Sequence, residues 1–160
     1  MNGVLSSDPV RRNPRYDRWI KLVEVRLGKQ LEDTGFTLNE IYEAVAEGVL
    51  EGWSYLVLCG SCGSWEYCVV ASATYEGESF EVKPVGLRAS VGEGHPFDEV
   101  VERMFSISKT VVKRGGRVFF YIPLEYAKSV KILLCGDSRP SGIRVEELLF
   151  EEVEFIGGGE

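Results

Sequence analysis

The stretch KRGGRVFFYIP, residues 113–123, sets three cationic side chains and three consecutive aromatic ones around a glycine pair. RVFFYIP alternates as a strand does: Val118, Phe120 and Ile122 line one face, Arg117, Phe119 and Tyr121 the other. The first face suits a core. The second puts an arginine beside two aromatics, an odd set to bury. Upstream, PFDEVVERMFSISKTVVKRGG (96–116) predicts a long helix, opened by Pro96 and acids and stopped by the glycines, with Lys113 and Arg114 complementing the dipole at its end. Downstream, LEYAKSVKILLC (124–135) predicts a last helix.

Toward the N-terminus the pattern changes twice. Residues 1–13 are polar and proline-punctuated and read as a flexible arm. Tyr16, Trp19, Ile20, Val23, Leu27 and Leu31 fall at helical spacing. Thr37 and Glu40 form a capping box for a second helix running to about Gly52, with Phe36 and Ile41 placed as a hydrophobic staple. The period then becomes two. WSYLVLC (53–59), WEYCVVASATY (65–75) and SFEVKPVGL (79–87) predict three strands, with a turn at 76–78. Pro84 marks an edge or a bulge, and RASVGEGHP (88–96) predicts a loop. The order is α-α-β-β-β-α-β-α, an α+β domain over residues 14–137 with a mainly antiparallel four-stranded sheet. Residues 138–160 form an acidic tail, amphipathic in either period.

At 160 residues, 44% hydrophobic and 27% charged, the chain has enough material for one core without staples. No apolar run is long enough to span a membrane, and the first residues lack a signal-peptide core, so a cytoplasmic protein with no membrane partner is expected. The net charge of −7 hides a block pattern. Residues 1–31 hold seven Lys/Arg against three Asp/Glu, and residues 32–81 hold ten acids and no Lys or Arg. Residues 82–139 hold ten basic against six acidic, and residues 140–160 one against six. Local field, not net charge, decides whether an anion is attracted.

If the aromatic faces of the strands coincide, Trp53, Tyr55, Trp65, Tyr67, Phe119 and Tyr121 make one wall. Lys109, Lys113, Arg114, Arg117 and Lys128 would then rim it. Such a wall stacks unpaired bases at about 1–3 kcal/mol each, while the cations neutralise phosphates. The expected partner is single-stranded DNA or RNA, bound without sequence preference; oligomer formation stays open. Duplex is a poorer ligand because its bases are already stacked. Aromatic residues in strands more often fill a core, which is the competing expectation.

Cysteine and histidine chemistry offers less. CGSCG (59–63) has the spacing of half a zinc knuckle that Cys68 and Cys135 would complete, but a second C-x-x-C is missing; strand and hairpin-tip cysteines that need no metal are the simpler expectation, a disulfide is a third option if the source is a hyperthermophile, and no cofactor is assigned. His95 is the single histidine and has no nucleophile motif beside it, and GEG (92–94) is too short for a phosphate loop. A non-enzyme is expected. The acidic tail docks as the last element of the core, folds over the basic rim in competition with nucleic acid, or zips against a second subunit.

In layout, WSYLVLC, WEYCVV and VVKRGGRVFFYIP resemble ThermoDBP and its relatives, single-stranded-DNA-binding proteins of hyperthermophilic archaea, over about residues 15–135. The resemblance implies bases held in an apolar cleft edged by cations, with Trp53, Tyr55, Trp65, Tyr67, Phe119 and Tyr121 inside and Lys113, Arg114 and Arg117 outside. That family's main members end in a leucine zipper, for which this tail is too short and too acidic. KRGGRVFFYIPLEYAKSV also resembles the strand-Pro-Glu-helix core of AbrB-like swapped-hairpin regulators, which are dimers that bind duplex DNA. In place of that fold's preceding strand, the sequence here predicts a helix. A non-catalytic protein-interaction module is the third class.

Overall fold

The computed structural model describes residues 34–76 and 79–157. The predicted arm over 1–13, the predicted helix through Tyr16 to Leu31, and Gly77 and Glu78 of the predicted turn lie outside these residues. Among the described residues, α1 (Leu38–Leu50) is followed by β1 (Tyr55–Cys62), β2 (Trp65–Glu76) and β3 (Ser79–Gly92). Then come α2 (Glu99–Ile107), β4 (Thr110–Arg114) and β5 (Arg117–Ile122). A 3-10 turn (Leu124–Tyr126) leads into α3 (Ala127–Cys135), β6 (Ser141–Glu147) and α4 (Phe150–Gly157). The class is α+β, as expected, but the sheet has six strands, in the order β4-β5-β3-β2-β1-β6, with each neighbouring pair antiparallel. None of the described helices is long and apolar enough to cross a membrane.

Helix α1 starts where its capping box puts it. The Thr37 N–H donates to Glu40 Oε1 at 3.0 Å and the Glu40 N–H donates to Thr37 Oγ1 at 3.2 Å, satisfying two otherwise orphaned donors. Phe36 and Ile41 are buried beside it. Helix α2 opens on Asp98, whose side chain accepts from the Val101 N–H.

The long helix expected over 96–116 is a helix and a strand. Its helical part stops at Ile107, and Ser108 is already extended (φ −79°, ψ 140°). Thr110, Val111 and Val112 then form β4, favoured by three consecutive β-branched side chains. Gly115 and Gly116, at φ 61° and 79°, supply the two left-handed positions of a tight hairpin that pairs Arg114 with Arg117. Lys113 and Arg114 are therefore hairpin residues, not a helix C-terminus.

One further expectation is corrected. RASVG is strand, not loop: Leu87, Ala89 and Val91 alternate into the core, extending β3 to Gly92. Pro84 sits at a bulge, since the β2–β3 register moves from Ala71↔Pro84 to Val70↔Gly86. Within the acidic tail, Ser141–Glu147 form the edge strand β6 beside β1 and Phe150–Gly157 form α4.

The sheet separates two unequal interiors. On one face α1, α2 and α3 cover the main core, which includes Leu58, Trp65, Tyr67, Leu87, Phe120 and Ile122. On the other face lies a smaller cluster of Val57, Cys59, Cys68, Val70 and Leu148, against which Val153 and Ile156 of α4 pack. Disulfides tie both sides: Cys62–Cys135 joins β1 to α3, and Cys59–Cys68 joins β1 to β2 at directly opposed positions.

Candidate nucleic-acid interface

Pairing register fixes which side chains share a face. Tyr67 is opposite Ala89, which is opposite Phe120, so all three belong to the helix-covered side. The neighbouring row runs Ser61, Glu66, Ser90, Phe119; another runs Cys59, Cys68, Arg88, Tyr121. Phe119 and Tyr121 therefore share their face with Glu66, Cys68 and Arg88, and not with Trp65 and Tyr67.

The continuous aromatic wall is corrected accordingly. Trp65 and Tyr67 are buried in the main core, Tyr67 stacking on Phe36 at 5.8 Å between ring centroids. Burial raises the Tyr67 phenol well above its ordinary value, and its hydroxyl makes no hydrogen bond among the described residues. Trp53 precedes β1 and packs, half-buried, against the main core beside Gly48. Tyr55 is on the Phe119 side by parity and 40% exposed. It lies three strands from β5 and six residues from Ser61, so roughly 14 Å across and 20 Å along the sheet separate it from Phe119.

The predicted cations also divide. Lys113 pairs with Val118 on the helix-covered side, and Lys128 is exposed on α3, which packs on that same side. Lys109, Arg114 and Arg117 gather with Phe119 and Tyr121. The Lys109 Nζ donates to the Ile156 carbonyl, 3.4 Å away in the last turn of α4. The Arg117 guanidinium donates to Ser90 Oγ at 3.1 Å and to the Ser90 carbonyl at 3.0 Å. Arg114 lies 4.5 Å from the centre of the Phe119 ring, and Arg88 lies 5.4 Å from it.

Tyr121 is sealed. Phe155 of α4 stacks on its ring at 5.2 Å, and its hydroxyl donates to Glu152 Oε1 at 2.8 Å. Burial first, and the Glu152 bond and charge second, push the Tyr121 phenol up to about 12. Glu152, only 2% exposed, also accepts from Arg88 at 2.8 Å and from Arg114 at 3.3 Å. Arg88, 5% exposed, reaches Glu66 at 3.6 Å and points a nitrogen at both sulfurs of the Cys59–Cys68 bridge at 3.7 Å. Arg144 of β6 closes the network on Glu66 and Glu146.

Arg88, Ser90, Glu66, Glu152 and Arg144 are the residues that sequence reasoning missed. Alternation through LRASV was the available signal for the first two: Leu87, Ala89 and Val91 already marked a strand. For Glu152 the acidic tail was the signal, without the residue.

Metal and acid–base chemistry find separate, smaller groupings. Cys59, Glu66 and Cys68 bring three ligand-type atoms within 4.8 Å, but the two sulfurs are bonded to each other and offer no thiolate. Cys62 and Cys135 pair on the other face, so the four cysteines do not converge on one centre. His95 stands between Ser64 Oγ, 3.4 Å from Nδ1, and Asp98 Oδ2, 3.9 Å from Nε2, contacts longer than a nucleophile–base relay uses. No known protein family, curated protein or solved structure matches the chain.

Proposed function

We propose that the protein binds single-stranded nucleic acid on the sheet face that carries Phe119. Bases stack on the Phe119 ring and on the Arg114 guanidinium, Arg114 and Arg117 meet phosphates, and α4 lifts to release Tyr121. One observation carries this reading: a partly exposed aromatic ring held beside the guanidiniums of Arg114 and Arg88, next to Arg117, on the face that α1–α3 leave free. Base–aromatic stacking contributes about 1–3 kcal/mol per base and tolerates any sequence. The cations add a salt-dependent term.

The test is anisotropy titration of labelled oligo(dT) at two salt concentrations, beside a duplex of equal length. Oligo(dT) is expected to bind better than duplex, with a slope against log salt of about −0.7 per phosphate contact. Arg117→Ala should reduce that slope by about the same 0.7. Duplex bound as well as oligo(dT), or oligo(dT) not bound at low salt, defeats the proposal.

A second reading has its own support. β4, Gly115-Gly116, β5 and Pro123 followed by the α3 turn put a strand where AbrB-like regulators have one. That reading makes residues 113–117 a basic hairpin tip for duplex DNA, and preference for duplex together with dimerisation would favour it.

A further inference from the structure

We propose a second binding site, on the opposite face of β5, that takes a single nucleoside monophosphate. A cavity of about 260 Å³ opens between α2 and the hairpin end of the sheet. It falls just below the ~300 Å³ at which pockets for drug-sized ligands begin, so it suits one base and not an oligonucleotide. Three rings form its apolar side. Phe97 and Phe105 stack with centroids 6.3 Å apart, and Phe105 meets Phe120 edge-on at 5.0 Å. A ring that merely filled the core would be covered, whereas Phe97 is 71% exposed and Phe105 45%.

The polar side is equally unfinished. Lys113 and Glu93 line the same cavity, yet neither makes an ion pair with the other or with any described residue. His95 completes it, its ring set edge-on to Trp65 at 5.8 Å and held by Ser64. The exposed Phe97 and Phe105 rings, with an ammonium and a carboxylate that no described residue pairs, ask for a planar ring carrying both hydrogen-bond donors and an anion. A nucleobase offers the ring and the donors for Glu93, and its phosphate answers Lys113. Phosphate alone would leave the rings exposed, and an apolar ligand would leave both charges without partners.

The experiment titrates the intact protein with AMP, adenosine and inorganic phosphate, followed by backbone amide NMR. AMP is expected to saturate at one per chain and to shift the signals of Phe97, Phe105 and Lys113. A charge-assisted bond to Lys113 makes AMP about tenfold tighter than adenosine, and Lys113→Ala removes that margin while adenosine binding stays unchanged. Phe97→Ala, at a position too exposed to unfold the protein, weakens AMP and adenosine alike by about fivefold. Phosphate competing as well as AMP, or AMP shifts confined to the Phe119 face, overturns the assignment, as does the absence of any shift at millimolar AMP. The probe is a mononucleotide and both variants lie on the face away from Phe119. Failure here therefore leaves the single-strand proposal intact, and failure of oligo(dT) to bind leaves this one intact.

Discussion

Replacing Glu152 by Gln removes one charge from the point where α4 meets the sheet and keeps the side chain's shape. In the native protein Glu152 accepts from Arg88 and Tyr121 at 2.8 Å each and from Arg114 at 3.3 Å. The amide retains one acceptor oxygen, but its nitrogen is turned toward one of the donors. Arg88 is buried, its Nε already lacks a partner among the described residues, and a second carboxylate, Glu66, is 3.6 Å away. Breaking a buried ion pair costs about 3–5 kcal/mol because the surviving charge is left uncompensated. Glu66 offsets part of that, and the Arg114 contact, on a side chain 38% exposed, adds under ~1 kcal/mol. The expected loss is thus about 3 kcal/mol, a large share of the ~5–15 kcal/mol that holds a domain folded. Urea unfolding should show it as a lower midpoint with unchanged slope. Glu151→Gln, exposed one residue away, should stay within about 0.5 kcal/mol and serves as the control. Arg88→Met combined with Glu152→Leu should recover most of the loss, since it removes both charges together. A Glu152→Gln effect as small as the control's would mean that α4 is not docked through this carboxylate. If stability falls as expected but oligo(dT) affinity does not rise, α4 is a structural element and not a cover.

Three further outcomes test the fold. Cys62–Cys135 closes a loop of 73 residues and Cys59–Cys68 one of 9, so chain-entropy scaling makes Cys135→Ser cost about 4 kcal/mol and Cys68→Ala about 2.5 kcal/mol; equal losses in denaturant titrations would contradict the pairing. Phe120→Ala should destabilise by about 3–5 kcal/mol, whereas Phe119→Ala should mainly weaken oligo(dT) binding; a reversed order by calorimetry would overturn the face assignment. The Tyr121 phenol ionises near 12 in the folded chain against 10 in the unfolded one, so folding favours its neutral form. Its contribution is complete below pH 10 and is lost as pH rises from about 10 toward 12; Tyr121→Phe should flatten that decline in alkaline unfolding curves.

What could be read from the sequence was local. The Thr37–Glu40 box needs only a three-residue spacing, and the split of β5 into core and outward faces needs only parity. Both are present, except that the second face of β5 is open only at Arg117 and Phe119, since α4 covers Tyr121. What failed depended on partners far along the chain. Whether Trp65 joins Phe119 or Phe120 is settled by the register of three strands, with a bulge at Pro84 shifting it on the way, and no single strand carries that information. Residues 108–114 fit a helix C-terminus by charge, yet three β-branched side chains before a glycine pair make a hairpin when β5 is there to pair with. The tail looked amphipathic in both periods because both are used, strand through Glu147 and helix from Phe150.

The choice of side chains on α4 bears on what that helix is for. A helix meant only to finish a core would favour a leucine at 152, since a buried ion pair is commonly no more stabilising than a well-packed apolar substitute. Instead this site concentrates a carboxylate on Arg88, Arg114 and Tyr121 and lays the Phe155 ring flat on Tyr121. Under the proposed function these are the two groups a nucleotide would bring: an anion for the guanidiniums and a planar ring for the phenol. The helix then competes with the ligand by imitating it, and because the Glu152 pair is buried, salt weakens the ligand's phosphate contacts far more than the helix's hold. Deleting residues 150–160 would separate the two terms. The truncated chain should bind oligo(dT) more tightly at every salt concentration and show a steeper salt slope, since Arg88 and Arg114 no longer have Glu152 to leave. An unchanged slope would place the phosphates elsewhere.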